Sequence, residues 1–187
     1  MEGDGQENLL KNTDFENGLA ECSFNQFHNP SWYPTSNLNT SPHAGIVVSD
    51  TGRIGFYFEG FSYVTKSTES FLRIRALKSN YHSVFQSTTS IIGGDTYRFE
   101  ARLRANFKFK GRGGRYFVQV RWYDNSGEEV IDTRTTFNIQ KGRMNSFVRE
   151  YVDLVAPDDA VSATVYLNAH DADGTADFDD IGVRHLY

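Results

Sequence analysis

The sequence predicts an all-β domain, and three observations carry that expectation. Apolar and polar residues alternate along many short runs, as they do in half-buried strands. Gly, Pro, Asn, Asp and Ser recur between the runs as turn residues. Little of the chain carries the spacing of an amphipathic helix. The 187 residues are enough for one domain with a proper core, and the 39% hydrophobic and 23% charged contents are ordinary for a globular protein.

Taken in order, residues 1–7 read as a flexible extension and 8–187 as a single domain. A first short strand is expected over 9–16. Residues 19–45 are irregular and rich in Asn, Ser and Pro, with Phe27, Trp32 and Tyr33 embedded, and a loop that long is usually functional or mobile. Residues 45–58 read as a hairpin turning at Asp50-Thr51-Gly52. Strands follow over 71–77 and 81–92, the latter ended by Gly93-Gly94-Asp95. Further strands are expected over 97–105, 116–123, 129–139, 146–154, 161–170 and 178–183, with turns at Asp124-Asn125-Ser126-Gly127 and Lys141-Gly142.

Composition removes several function classes. The net charge of −5 argues against a nucleic-acid binder by charge. The single Cys22 excludes an intrachain disulfide and a cysteine-based zinc site. No apolar run approaches the ~20 residues of a helical membrane span, and Met1-Glu2-Gly3-Asp4-Gly5-Gln6-Glu7 has no apolar signal region.

The two ends of the chain are acidic beside apolar residues. Asp177, Asp179 and Asp180 interrupt the strand formers Phe178, Ile181 and Val183 near one end; Asp14 and Glu16 flank Phe15 near the other. Asp is disfavoured in strands, so such runs are expected to cap a turn or hold a cation. If the ends meet, the converging carboxylates suit a hard cation such as calcium. The alternative is a salt-bridged or solvated acidic turn.

Four ordered pieces carry a family resemblance. Asn8-Leu9-Leu10-Lys11-Asn12-Thr13-Asp14-Phe15-Glu16 resembles an N-L-x-x-N-G-D-F-E opening, with Thr13 in place of the Gly. The stretch from Phe85-Gln86 to Gly93-Gly94-Asp95-Thr96-Tyr97-Arg98-Phe99-Glu100-Ala101 resembles a G-x-T-Y strand pair. Val118-Gln119-Val120-Arg121-Trp122-Tyr123-Asp124 resembles a central strand and turn. Ala156-Pro157 followed by Phe178-Asp179-Asp180-Ile181 resembles the closing pieces. Together these resemble the carbohydrate-binding modules of families 4, 9, 16 and 22, of the galactose-binding-domain-like type. The resemblance implies a β-sandwich jelly roll of two antiparallel sheets with adjacent termini, glycan binding on a concave sheet face or at the loop ends, and an extracellular location. It also implies a structural calcium near the termini. Carried over by position, Glu16 and Asp179 give side-chain oxygens and Asp14 a backbone oxygen. Glu69 is the nearest carboxylate for the middle ligand, with the Ser70 carbonyl and Asp50 as other candidates.

The pleat sorts each long strand into two faces. Tyr97, Phe99, Ala101, Leu103 and Ala105 form an apolar face opposite Arg98, Glu100, Arg102 and Arg104. Val118, Val120 and Trp122 oppose Gln119, Arg121 and Tyr123, and Val165 and Leu167 oppose Tyr166 and Asn168. These polar sides are expected to form one face, with Arg102, Gln119, Arg121, Tyr123, Tyr166 and Asn168 as ligand-binding residues. Aromatic rings stack on sugar C–H faces, and amide or guanidinium groups grip hydroxyls and carboxylates. Between 98 and 121 eight basic residues stand against the single acidic Glu100, which points to an anionic glycan, uronate-rich or sulfated. A salt-bridged face around Glu100, or merely solvated strand faces, are the alternatives.

Catalysis has little support. His28, His43, His82, His170 and His185 are scattered, with no metal-ligand spacing, and no G-x-S-x-G elbow occurs. Asp132 and Glu150 are conceivable paired carboxylates. Gln119, Arg121, Tyr123 and His170 could imitate the set of a jelly-roll polysaccharide lyase, although those enzymes' strand motifs are not intact. The expected function is non-catalytic polysaccharide binding, in a module of the kind that is appended to a catalytic domain. A lyase, or a non-binding spacer of a glycan-active or viral fibre protein, remains the alternative.

Overall fold

The structure is a computed structural model. It describes residues 7–10, 33–35, 61–63, 71–76, 81–107, 115–130, 135–140, 146–170 and 174–187. Most of the expected first strand, the hairpin at 45–58 and residues 1–6 of the extension expected over 1–7 lie outside these residues.

Ten strands are described: β1 (Tyr33–Thr35), β2 (Phe61–Tyr63), β3 (Leu72–Ala76), β4 (Tyr81–Thr88), β5 (Thr96–Phe107), β6 (Arg115–Tyr123), β7 (Thr135–Gln140), β8 (Val148–Val155), β9 (Ser162–His170) and β10 (Gly174–His185). They form two five-stranded sheets. The first, sheet A, runs β1-β4-β9-β6-β7; the second, sheet B, runs β2-β3-β10-β5-β8. Every strand pair is antiparallel. The all-β sandwich is the expected architecture.

Alternation builds the core. The inward residues of β5, Tyr97, Phe99, Ala101, Leu103 and Ala105, are all buried. They meet Val118, Val120 and Trp122 of β6 and Val165 and Leu167 of β9, also buried. The Trp122 ring takes the edge of Phe99 at 5.4 Å and 87°, and Tyr97 at 6.1 Å. Edge-to-face packing suits the ring quadrupoles.

Strand ends differ from expectation where side chains claim the backbone. The strand expected over 81–92 stops at Thr88; the Ile92 amide donates to the Tyr97 hydroxyl at 2.8 Å, and Gly94 N donates to the Ala156 carbonyl at 3.0 Å. Gly93 allows this approach, because a Cβ there would collide with the Asp158 carbonyl. The strand expected over 129–139 is an isolated bridge, Glu129 to Tyr123, and then β7.

The acidic stretch 177–180 is not a cap. It lies within a twelve-residue strand, β10, which pairs with both β3 and β5. The register slips between Asp179 and Gly182, which face Arg102 and Glu100. Asp180 has φ 45°, a left-handed conformation that Asp tolerates better than most residues. The bulge changes the parity of the strand. Ala176 and Phe178 face the core before it, Ile181 and Val183 after it.

The ends meet as expected. Leu9 N donates to the Val183 carbonyl at 2.9 Å. The Asn8 side chain accepts from Val183 N at 3.0 Å and donates to the Ile181 carbonyl at 2.9 Å.

Candidate functional site

The outer side of sheet A is built by register. Phe85 of β4 faces Tyr166 of β9, which faces Gln119 of β6, which faces Thr136 of β7. One row away Ser83, Asn168 and Phe117 align; on the other side Ser87, Thr164 and Arg121 do. Opposite residues of antiparallel strands project to the same side, so the rows place aromatic, amide and guanidinium groups together.

The centre of the face is a coupled cluster. Phe85 and Tyr166 lie 5.4 Å apart with their rings tilted by 32°. The Arg121 guanidinium sits 4.5 Å above the Tyr166 ring, a cation–π contact. Its Nε donates to Gln119 Oε1 at 2.8 Å, and its Nη1 reaches Glu129 Oε2 at 3.5 Å. Gln119 Nε2 donates to Thr136 Oγ1 at 3.3 Å. The Tyr123 and Tyr166 hydroxyls lie 3.1 Å apart. Burial, and then that hydrogen bond, push the Tyr166 phenol well above its ordinary range. Arg121 and Glu129 are about a quarter exposed, at 23% and 26%, so a ligand can reach them.

Asn168 belongs to the floor. It is fully buried, accepts from the Ser83 hydroxyl at 2.8 Å and donates to the Tyr166 carbonyl at 3.0 Å. Its role as a ligand donor is replaced by one of holding β4 to β9. The cluster also includes two residues the strand-by-strand reading did not select. Phe85 shares parity with Ser83 and Ser87 in β4, a signal present in the sequence. Glu129 comes from the turn after β6, and no pattern marks it.

Arg102 is elsewhere. It lies on β5, in sheet B, so it cannot share a face with Gln119, Arg121, Tyr123 and Tyr166. Its neighbours are β10 and β8. Arg102 Nη1 reaches Asp179 Oδ2 at 3.1 Å and Asp180 Oδ2 at 3.2 Å. Arg104 binds Asp177 at 2.6 Å, Arg98 binds Asp153 through two bonds of 2.8 Å, and Glu100 binds both Arg149 and Arg184 at 3.0 Å. The outer side of sheet B is thus an alternating lattice of charges. The expected single basic face is divided between two sheets, and Arg98, Arg102, Arg104 and Arg121 each have a carboxylate partner. Phe147 joins the lattice, with Arg102 and Arg104 over its ring at 5.0 and 4.5 Å.

Of the expected calcium ligands, Asp14, Glu16 and Glu69 lie outside the described residues. Asp179 is described and buried. Its Oδ1 accepts from Asp180 N at 2.9 Å, and its Oδ2 accepts from Arg102. Among the described residues no group of three acidic, His or Cys side chains could hold a metal. The charges of Asp177, Asp179 and Asp180 meet two guanidiniums, which leaves this half of the acidic cluster with one negative charge in excess. A calcium bound there would share Asp179 with Arg102.

No protein-family model and no curated protein matches the chain. Solved structures do. One is the enzymatically active domain of tailspike protein 4 of bacteriophage CBA120, at TM-score 0.62 and 12% identity, covering 96% of this chain. The match takes in 21% of that structure, so the chain spans about a fifth of its length. A second is the C-terminal family 22 carbohydrate-binding module of a Clostridium thermocellum xylanase, at TM-score 0.54 and 18% identity, covering 95% of each chain. A third is the module TmCBM61 in complex with β-1,4-galactotriose, at TM-score 0.56 and 12% identity, covering 96% of this chain and 99% of that one. At these identities the likeness speaks for architecture: the chain has the β-sandwich fold of the carbohydrate-binding modules it resembled in sequence.

Proposed function

We propose that this chain is a non-catalytic carbohydrate-binding module that takes a polysaccharide on the outer side of sheet A. The observation that carries the reading is the cluster of Phe85, Tyr166, Tyr123, Arg121 and Gln119 at the middle of that sheet. Rings offer apolar faces for sugar C–H groups, while the Arg121 guanidinium, positioned by the buried Gln119 amide, satisfies hydroxyls. The likeness to TmCBM61, solved with a galactotriose, supports a glycan as the ligand class.

An anionic glycan is the finer reading. Its support on this face is Arg121, with the exposed Arg115 on the same strand. The Arg121–Glu129 contact is long, 3.5 Å, and a uronate carboxylate offers the guanidinium a bidentate partner instead. Arg102, bound to Asp179 and Asp180, is left out of this proposal. A structural calcium held by Asp14, Glu16 and Asp179 stays part of the reading, supported by the meeting of the chain ends at Asn8 and Val183. A module joined to a catalytic one, as in the family 22 and GH10 modules of the xylanase, is the proposed setting in a longer protein.

The test is calorimetric titration of alginate, hyaluronan and a neutral glucan, with product assays on the acidic polymers. Binding to an acidic polymer should fall with added salt. Arg121→Ala and Tyr166→Ala should each weaken it about tenfold or more, the size expected of one charge-assisted or stacking contact, and Arg102→Ala should leave it unchanged. Equal binding of the glucan would remove the anionic reading, unsaturated products would make the chain a lyase, and no binding at all would leave a spacer.

A further inference from the structure

We propose that β8 is the seam of a symmetric dimer, in which two copies of this chain pair β8 with β8 across a two-fold axis at Tyr151 and join their B sheets into one.

Strand β8 ends sheet B. One side pairs with β5 over eight residues; among the described residues no strand pairs with its other side. Its outward side chains are exposed, with Tyr151 at 61% and Val155 at 65%, while Val152 and Leu154 are half-buried against the core. Long exposed edges carrying apolar side chains tend to acquire a partner strand. Charges on an edge ordinarily guard against that, and here Arg149, Glu150 and Asp153 also select one register.

The sequence Val148-Arg149-Glu150-Tyr151-Val152-Asp153-Leu154 is self-complementary when run against itself antiparallel about Tyr151. Arg149 then faces Asp153 of the second copy, twice by symmetry, and Val148 faces Leu154 twice. Sliding by one step of the pleat in one direction sets Glu150 against Glu150. Sliding the other way sets Arg149 against Val155 and Asp153 against Tyr151. Opposite charges across a strand pair stabilise it and like charges destabilise it, so the Tyr151 register wins.

The monomer's own lattice continues through this seam. Asp153 already binds Arg98, and Arg149 already binds Glu100. In the dimer each Asp153 gains a guanidinium on its second side, and signs alternate from Arg98 through Asp153 to Arg149 and Glu100 of the other copy. The central row holds two Tyr151 rings, each with an Arg98 guanidinium 4.4 Å away.

The axis runs normal to sheet B. Both A sheets therefore face the same way, and two candidate glycan faces address one surface. A single strand pairing buries less than the ~1,000 Å² of a stable interface, so the dimer is weak in solution and strengthened on a polymer that engages both faces. The dimer itself does not depend on the glycan reading.

Sedimentation equilibrium of the full chain, from micromolar to millimolar, should give a reversible monomer–dimer equilibrium. Arg149→Asp and Asp153→Arg should each weaken it about tenfold or more, since each sets two like-charge pairs across the seam. Mixing the two variants should restore dimers, because both seam pairs are then opposite in charge. Circular dichroism checks that each variant is folded. Separately, Tyr151→Cys should give a disulfide-linked dimer on oxidation that the unaltered chain, carrying Cys22, does not. A wild-type monomer at every concentration overturns the proposal. So do single variants that dimerise normally, a mixture no better than its parts, or a Tyr151→Cys chain that does not cross-link.

Discussion

Arg102 and Arg121 stand nineteen positions apart in the same basic stretch, and their neighbours give them different work. Arg121 lies over the Tyr166 ring with a distant carboxylate, open to a ligand. Arg102 is held by two carboxylates of β10. Arg104 shows how costly such a partner is to lose. Its guanidinium binds Asp177, whose side chain is 2% exposed. Removing one member of a buried pair leaves the other's charge poorly compensated, at a cost of about 3 kcal/mol. Arg104→Ala should therefore lower the unfolding free energy measured by urea titration by that amount, and Arg104→Lys should recover part of it. A change within 0.5 kcal/mol, the usual range for exposed sites, would mean that the carboxylate finds other compensation.

At the scale of elements, β10 and β8 use charge in opposite ways. Strand β10 accepts carboxylates that strands usually avoid, because β5 supplies Arg102 and Arg104 beside them and the Asp180 bulge restores the core parity. Gly182 completes the bulge; a Cβ there would come 2.6 Å from Glu100 Cγ. Strand β8 is an edge whose Asp153 ties back to Arg98. That hydrogen bond and charge hold the Asp153 carboxyl below its ordinary range. A depressed carboxyl stabilises the fold at neutral pH, and the contribution disappears as pH falls through the depressed value, from about pH 4 downward. The stability of wild type over Asp153→Asn should shrink across that acid window and be flat above it. Both partners are 37% exposed, so the difference is small and decreases with salt. A gap unchanged from neutral to acid pH would exclude the ion pair as its source.

The whole molecule joins its ends, through Asn8 and Leu9 against Ile181 and Val183. The proposed calcium belongs to this scale, since it would fasten the same two segments. A ligand bound only by the folded state raises stability by mass action. Added calcium should raise the melting temperature of chelated protein, and Glu16→Ala or Asp179→Ala should abolish the rise. Asp179→Ala also removes one of the two carboxylates on Arg102, so Glu16→Ala is the cleaner variant. A melting temperature indifferent to calcium after verified metal removal would leave Arg102 and Arg104 as the counterions of the acidic run.

What the sequence determined by itself is periodic. Alternation placed Phe99, Leu103, Val118, Val120, Trp122, Val165 and Leu167 in the core, and all seven are buried, because the pleat makes side-chain direction a local property. The same parity turned Gln119, Arg121, Tyr123 and Tyr166 away from it. Parity does not say which sheet a strand joins. Only the tertiary structure put β5 in sheet B and β6 and β9 in sheet A, which separated Arg102 from Arg121 and set Arg102 against Asp179. It also decided the electrostatics. The eight-to-one charge imbalance runs along the chain, whereas most of the carboxylates that answer it, Asp153, Asp177, Asp179 and Asp180, arrive from strands more than fifty residues away, and Glu129 beside Arg121 is the near one. Charges act through space at distances of a few ångströms, and strand pairing alone brings those residues within reach.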